Sequence, residues 1–142
     1  MFPIRQVSPK LYRSPQPDFE DFLSIKDRGI RAVINLREEA TESAFFARQA
    51  KLEYLYLPVV DWRLPEPEQV ESFLEFVELA GPALVHCAAG VGRTGTFVAC
   101  YRIHKGMQVE EALELTNQET PLRGVTMNDI QCDFVREWSA NR

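Results

Sequence analysis

Ala83-Leu84-Val85-His86-Cys87-Ala88-Ala89-Gly90-Val91-Gly92-Arg93-Thr94-Gly95-Thr96-Phe97 reads as a buried strand, a glycine-punctuated loop and the first turn of a helix. Cys87 enters the loop and Arg93 leaves it, with five residues between them. The glycines permit tight turns that aim successive backbone N–H groups inward. The helix start adds unpaired N–H groups and the positive end of the macrodipole. Ala88, Ala89, Gly90, Val91 and Gly92 are therefore expected to form a cup for a tetrahedral dianion, with Cys87 at its mouth. Such a field favours a thiolate over a thiol. Arg93 can reach back and grip two oxygens of the anion at once, which lysine cannot do. One loop thus supplies a nucleophile and the receptor for what it attacks.

Upstream of the cup, Ala32-Val33-Ile34-Asn35-Leu36 and Tyr54-Leu55-Tyr56-Leu57-Pro58-Val59 read as two further strands, the first a buried parallel one. Helical patterns separate them. One opens near Ser14 or Asp18, turns Phe19, Phe22, Leu23 and the stem of Lys26 inward, and ends at Gly29. A second runs from an N-cap at Thr41 to about Lys51 with Phe45, Phe46 and Ala50 inward. A third starts at Pro67, buries Val70, Phe73, Leu74 and Val77, and stops at Gly81-Pro82. Residues 1–17, with Pro3, Pro9, Pro15 and Pro17, suggest an extended entry with Leu11-Tyr12-Arg13 as a short edge strand.

Downstream, Thr94 to Lys105 is apolar almost all round and should be the central helix, capped by Gly106. Val109, Ala112, Leu113 and Thr116 mark another. Thr126 with Asp129 resembles a capping box opening a last helix that buries Met127, Ile130, Phe134 and Trp138. Strands alternating with helices indicate an α/β fold, a single domain over residues 1–142 whose central, mostly parallel sheet is flanked by helices. Its ligand site belongs beyond the carboxyl ends of the strands, where Cys87 lies.

The net charge of −5 argues against nucleic acid as partner, and equally against an anionic membrane surface. Three widely spaced cysteines make no disulfide framework, and no C-x-x-C pair suggests zinc. No stretch approaches the roughly 18 apolar residues of a membrane span, and Met1-Phe2-Pro3-Ile4-Arg5 has no signal-peptide apolar run. A reduced, cytoplasmic monomer without metal or cofactor is expected. Cys100 and Cys132 read as packing residues on helical faces, and His104 as a surface histidine.

His86-Cys87, two small residues, Gly90, Gly92, Arg93, Thr94 and Gly95 together resemble the phosphate-binding loop of the cysteine-dependent protein tyrosine phosphatase superfamily. Chain length and element order resemble its compact dual-specificity branch. The similarity extends to Leu11-Tyr12-Arg13-Ser14, to Val33-Ile34-Asn35-Leu36-Arg37 and to the loop around Asp61, while Ala89 to Phe97 is closer to the tyrosine-specific branch. The resemblance implies hydrolysis through a phosphocysteine intermediate on Cys87, with Arg93 gripping the phosphate. It also implies a proton donor. Asp61 fits: it follows a strand end, lies in a proline-rich loop and precedes Cys87 by 26 positions. Thr94 can donate to the Cys87 sulfur when that sulfur leaves, and His86 orders the loop backbone. Thr120 stands where the family often has arginine before Pro121. The family's water-orienting glutamine has two candidates, Gln131 and Asn128, without a clear match.

No lysine or arginine lies between Cys87 and Arg93, which favours a singly phosphorylated substrate such as a phosphotyrosine protein or peptide, with phosphoserine and phosphothreonine open. Arg37, Arg63 and Arg123 fall in loops at the strands' carboxyl side and would line the rim of the site. They keep a phosphoinositide or small phosphorylated metabolite in view. A phosphoprotein-binding module without turnover would need the cup and the arginine but neither Cys87 nor Asp61. Sulfur transfer in a rhodanese-like domain would leave Asp61 and Thr94 without purpose.

Overall fold

The computed structural model describes residues 2–142. Its strands are β1 (Arg5–Ser8), β2 (Leu11–Ser14), β3 (Ala32–Arg37), β4 (Glu53–Val59) and β5 (Ala83–His86). Its helices are α1 (Asp21–Asp27), α2 (Glu42–Gln49), α3 (Pro67–Ala80), α4 (Gly92–His104), α5 (Val109–Gln118) and α6 (Asp129–Ala140). The sheet order is β1-β2-β5-β3-β4, parallel throughout except for the β1–β2 pair. The expected mostly parallel α/β sheet is therefore present.

β5 is central, and every one of its residues is buried. Its last residue, His86, pairs with Ser14 of β2 on one side and Asn35 of β3 on the other. Three strands thus end level, and the chain leaves β5 at Cys87 beyond their carboxyl ends. Strand alternation sends Ala32, Ile34, Ala83 and Val85 into one apolar layer, with α3, α4 and α6. It sends Val33 and Leu84 into the other, with Phe22 and Ile25 of α1 and Ala47 of α2. Both faces are covered, as a parallel sheet requires. In the larger layer the Phe73 and Phe97 rings meet edge to face at 5.1 Å, which ties α3 to α4. Eleven consecutive residues of α4, Gly92 to Arg102, are buried, so this is the central helix its apolar sequence indicates. Among the described residues no helix is long and apolar enough to cross a membrane.

Several local expectations are corrected. β2 is not an edge: β1, a polar strand, lies outside it, and no apolar run announced it. α1 begins after Glu20 and buries Phe22 and Ile25, leaving Phe19 and Leu23 exposed. α2 does follow Thr41, but its side chain makes no cap bond, and the helix buries Ser43 and Ala47 while Phe45 faces solvent. α6 is opened by Asn128, not Thr126. Asn128 accepts from the Gln131 backbone N–H, and Gln131 returns a bond to the Asn128 backbone. That helix buries Gln131, Val135 and Trp138, while Ile130 is exposed. In α1 and α2 the pattern identified the element and misplaced part of its inward face, whereas α3 buries the residues expected of it, α5 buries Ala112, Leu113 and Thr116, and α6 buries Trp138.

Candidate active site

Cys87 is the first residue after β5 and is buried. Its Sγ accepts two hydrogen bonds, from the Gly90 N–H at 3.2 Å and from Thr94 Oγ1 at 3.0 Å. Gly90 takes φ +79°, and a Cβ there would lie 2.8 Å from Ser14 O and Pro15 N. Only glycine fits, because both the conformation and the space exclude a side chain. Gly92 is crowded by side chains instead: a Cβ would lie 2.9 Å from Gln131 Nε2 and 3.0 Å from Trp62 Cε3, so both would have to shift to admit one. The loop closes directly into α4, whose Gly95 N–H bonds Val91 O at 2.8 Å.

Arg93 is buried and its terminal nitrogens are engaged. Glu39 takes Nη1 at 2.7 Å and Nη2 at 2.9 Å, Val59 O accepts from Nη1 at 2.9 Å, and Asp61 Oδ1 lies 3.3 Å from Nη2. Nε, by contrast, is buried with no partner. Buried N–H groups are almost always hydrogen-bonded. Arg13 Nε is likewise buried without a partner. Burial works against the Arg93 charge, but the carboxylates of Glu39 and Asp61, with Cys87, more than offset it and raise the guanidinium above its ordinary value. In return, the hydrogen bonds from Arg93, and then from Arg37, hold the Glu39 carboxyl down to about 2.

Glu39 is the residue that sequence reasoning missed. Its loop is shaped by buried Asn35, whose Oδ1 accepts from the Arg37 N–H at 2.9 Å and whose Nδ2 donates to Ala40 O at 2.9 Å. Tyr56 adds a bond from its hydroxyl to Arg37 O at 2.9 Å. Position alone was a signal: a carboxylate just past a strand's carboxyl end is on the ligand side of such a sheet.

Asp61 follows β4, with its side chain 59% exposed, so it reaches the cup from the solvent side. Its loop is tied to the start of α6: Asn128 Nδ2 donates to Trp62 O at 3.1 Å, and Gln131 Nε2 to Arg63 O at 3.4 Å. Trp62 holds φ +62°, a left-handed conformation rare for an aromatic residue. Of the two water-orienting candidates, Gln131 is fully buried against Gly92 and Asn128 is the helix cap.

His86 is fully buried, Nδ1 3.2 Å from Cys87 O and Nε2 3.1 Å from Ser43 Oγ. A carbonyl only accepts, so Nδ1 carries the proton and Nε2 receives the Ser43 hydroxyl. Burial lowers the ring's pKa to about 4, which keeps it neutral near pH 7. It braces the loop backbone.

Of the rim arginines, Arg37 is consumed by Glu39 at 3.0 Å, Gln16 Oε1 at 2.9 Å and Glu42 at 3.7 Å. Arg63 and Arg123 are exposed and form no ion pair among the described residues. All three cysteines are free, and burial pushes the thiols of Cys100 and Cys132 up. Among the described residues no group of three or more His, Cys, Asp or Glu side chains is placed to hold a metal ion.

Comparison with known proteins finds phosphatases of the same family and fold. Residues 5–136 match the family described as "DSP-PTPase phosphatase fused to NAD+ Kinase". Dual specificity protein phosphatase TpbA of Pseudomonas aeruginosa is 31% identical over 114 residues, covering 78% of this chain and 51% of that protein. An Arabidopsis thaliana phosphatidylinositol 3,4,5-trisphosphate 3-phosphatase and protein-tyrosine-phosphatase, PTEN1, is 30% identical over 97% of this chain and 34% of its own length. The chain thus spans about a third to a half of these relatives. Among solved structures, Tk-PTP in its active form superposes over 100% of both chains with a TM-score of 0.85 at 24% identity, a likeness of fold. A P. aeruginosa TpbA structure in complex with pTyr reaches 0.71 at 28% identity, covering 98% of this chain and 91% of that one. With the family match extending over most of its length, the chain belongs to the DSP-PTPase phosphatases, the dual-specificity branch of the cysteine-dependent tyrosine phosphatases.

Proposed function

We propose that the chain hydrolyses phosphate monoesters of proteins, chiefly phosphotyrosine, through a covalent phosphocysteine. The observation that carries this reading is the unpartnered Arg93 Nε in the same cup as a Cys87 Sγ already held by two donors. The Cys87 sulfur attacks phosphorus while the loop N–H groups and Arg93 hold the equatorial oxygens. The P–O ester bond breaks, its electron pair goes to the leaving oxygen, and Asp61 gives that oxygen a proton. Water then attacks the phosphocysteine and passes a proton to Asp61. The P–S bond breaks, and its pair returns to Sγ, where the Thr94 hydroxyl supports the departing sulfur. In this reading the enzyme needs neither metal nor cofactor and acts as a monomer in a reducing, cytoplasmic setting. Its net charge of −5 favours neither nucleic acid nor an anionic membrane surface.

The cup carries no lysine, and Arg37 is neutralised by its neighbours, which supports a singly phosphorylated substrate. The free Arg63 and Arg123 support a second reading, a phosphoinositide or phosphorylated metabolite turned over by the same chemistry. Metal-free hydrolysis of phosphotyrosine, phosphoserine and phosphothreonine peptides beside short-chain phosphoinositides separates the two. Preference for the tyrosine peptide is expected. Preference for the lipids would move specificity to Arg63 and Arg123, and phosphate binding without turnover would make the chain a binding module.

Asp61→Asn tests the acid. A positioned proton donor contributes about 10²–10⁴ in rate, so kcat on a phosphotyrosine peptide should fall by a factor in that range. An aryl phosphate whose phenol is strongly acidic needs less help and should lose far less. Equal losses on both would remove Asp61 from this role.

A further inference from the structure

Three carbonyls of the cup are held from outside it. Cys87 O meets His86 Nδ1 at 3.2 Å, Ala88 O accepts from the Gln16 N–H at 2.9 Å, and Gly90 O accepts from Arg13 Nη2 at 2.9 Å. Across a trans peptide the C=O and the next residue's N–H point in opposite directions. Each carbonyl drawn outward therefore turns one N–H inward: those of Ala88, Ala89 and Val91. Two of the three outer groups come from one short segment, Arg13 to Gln16, at the carboxyl end of β2. Ser14 and Pro15 of that segment are what leave no room for a side chain on Gly90.

We infer that Arg13 is a positioning residue for the phosphate cup: by holding the Gly90 carbonyl, it aims the Val91 N–H at the bound anion. The N–H that reaches Cys87 Sγ belongs to the preceding peptide, Ala89–Gly90, which meets the held one at the Gly90 Cα. The inference rests on the phosphatase reading of the cup, and Arg13 itself, behind Gly90, touches no substrate.

The surroundings of Arg13 fit this role. It is 2% exposed and forked, with Nη1 donating to Thr116 O of α5 at 3.1 Å while Nη2 holds Gly90 O. Glu119 faces it at 3.6 Å, but the same carboxylate takes Arg102 Nη2 at 2.7 Å, and Arg102 Nη1 donates to Thr116 Oγ1 at 2.8 Å. Two guanidiniums share one carboxylate, so the cluster keeps a positive charge behind the loop. A buried charge is costly, and burial pulls Arg13 down to about 10 despite Glu119. A neutral donor could hold one carbonyl. A charge held there also favours an anion in front of the loop.

The test compares wild type with Arg13→Met and Arg13→Lys, reading tungstate affinity by calorimetry, thermal midpoint, and kcat and KM on an aryl phosphate. At a temperature where all three are folded, Arg13→Met should bind tungstate about tenfold more weakly or worse, since a charge-assisted hydrogen bond is lost. Its kcat/KM should fall at least as much, and Arg13→Lys should recover part of both. A lowered thermal midpoint with unchanged tungstate affinity in the folded variants would mean Arg13 only supports the fold, and would overturn the inference. Should Arg13→Met fail to fold, Arg13→Lys decides by NMR. The Gly90 carbonyl and Val91 amide resonances should shift from wild type, and unchanged resonances with unchanged affinity would overturn it. Wild type that binds tungstate without turning over any ester would sink the phosphatase reading while the affinity comparison still judges Arg13. Wild type that binds no tungstate would overturn both.

Discussion

Cys87→Ser should abolish turnover and leave the anion site intact. Removing a catalytic nucleophile costs on the order of 10⁶ in rate where it has been measured singly. A loss of that order is expected in kcat for any phosphate ester. The reason lies in what the cup stabilises. Sγ is held by the Gly90 N–H and the Thr94 hydroxyl, donors suited to an anion or to a departing sulfur. A serine hydroxyl stays protonated there and attacks poorly. The backbone N–H groups and Arg93 do not depend on the sulfur, so tungstate should bind the variant as tightly as wild type. The other two cysteines serve as controls. Cys100 is completely buried in α4 with a thiol pushed up by burial, and Cys132 is half-buried on α6 and raised likewise. Cys132→Ser should keep wild-type kcat. Activity of Cys87→Ser within a hundredfold of wild type would exclude the covalent route, and loss of tungstate binding would show that the sulfur, not the backbone, organises the cup.

The cup was legible because its signal is local. A buried strand, glycines in a loop and a helix start lie in one run of sequence, and each residue's role follows from backbone rules within a few positions. What was not legible is what reaches the cup from far along the chain. Glu39 meets Arg93 across 54 positions, and Arg13 meets Gly90 across 77. No periodicity encodes such pairings: position puts Arg37-Glu38-Glu39 on the ligand side of the sheet, but the pairing of Glu39 with Arg93 needs the sheet order that sets β3 beside β5. β1 was missed for a related reason: Arg5-Gln6-Val7-Ser8 is held by its ladder to β2, and as a polar edge it needs no apolar face. The Asn128–Gln131 box was passed over for Thr126 and Asp129 because Thr126, two positions earlier, offers the same chemistry.

Arg93→Lys should lower kcat/KM by about 10²–10³, the size of losing one preorganised donor to transition-state charge, and weaken tungstate binding with it. The geometry explains why so similar a cation fails. The guanidinium has separate edges. Its two terminal nitrogens are committed to Glu39, with Val59 O and Asp61 beside them, while Nε remains free for the anion. Lysine brings one ammonium, which can serve Glu39 or the phosphate but cannot hold both in these directions. Glu39 is itself a positioning group, so Glu39→Gln should cost less: the amide oxygen can still accept from one Arg93 nitrogen, and the guanidinium keeps its charge. The pH dependence follows. Glu39's carboxyl is held near 2, below its ordinary value, so its bond to Arg93 is at full strength above the usual carboxylate range and fades only as pH falls toward 2. Because Glu39 is more than a third exposed, solvent screens part of that strength. Between pH 5 and 8 the ratio of wild-type to Glu39→Gln activity should therefore stay flat. A ratio that changes through this window would show that Glu39 titrates during turnover and exchanges a proton, which a group that only orients Arg93 does not do.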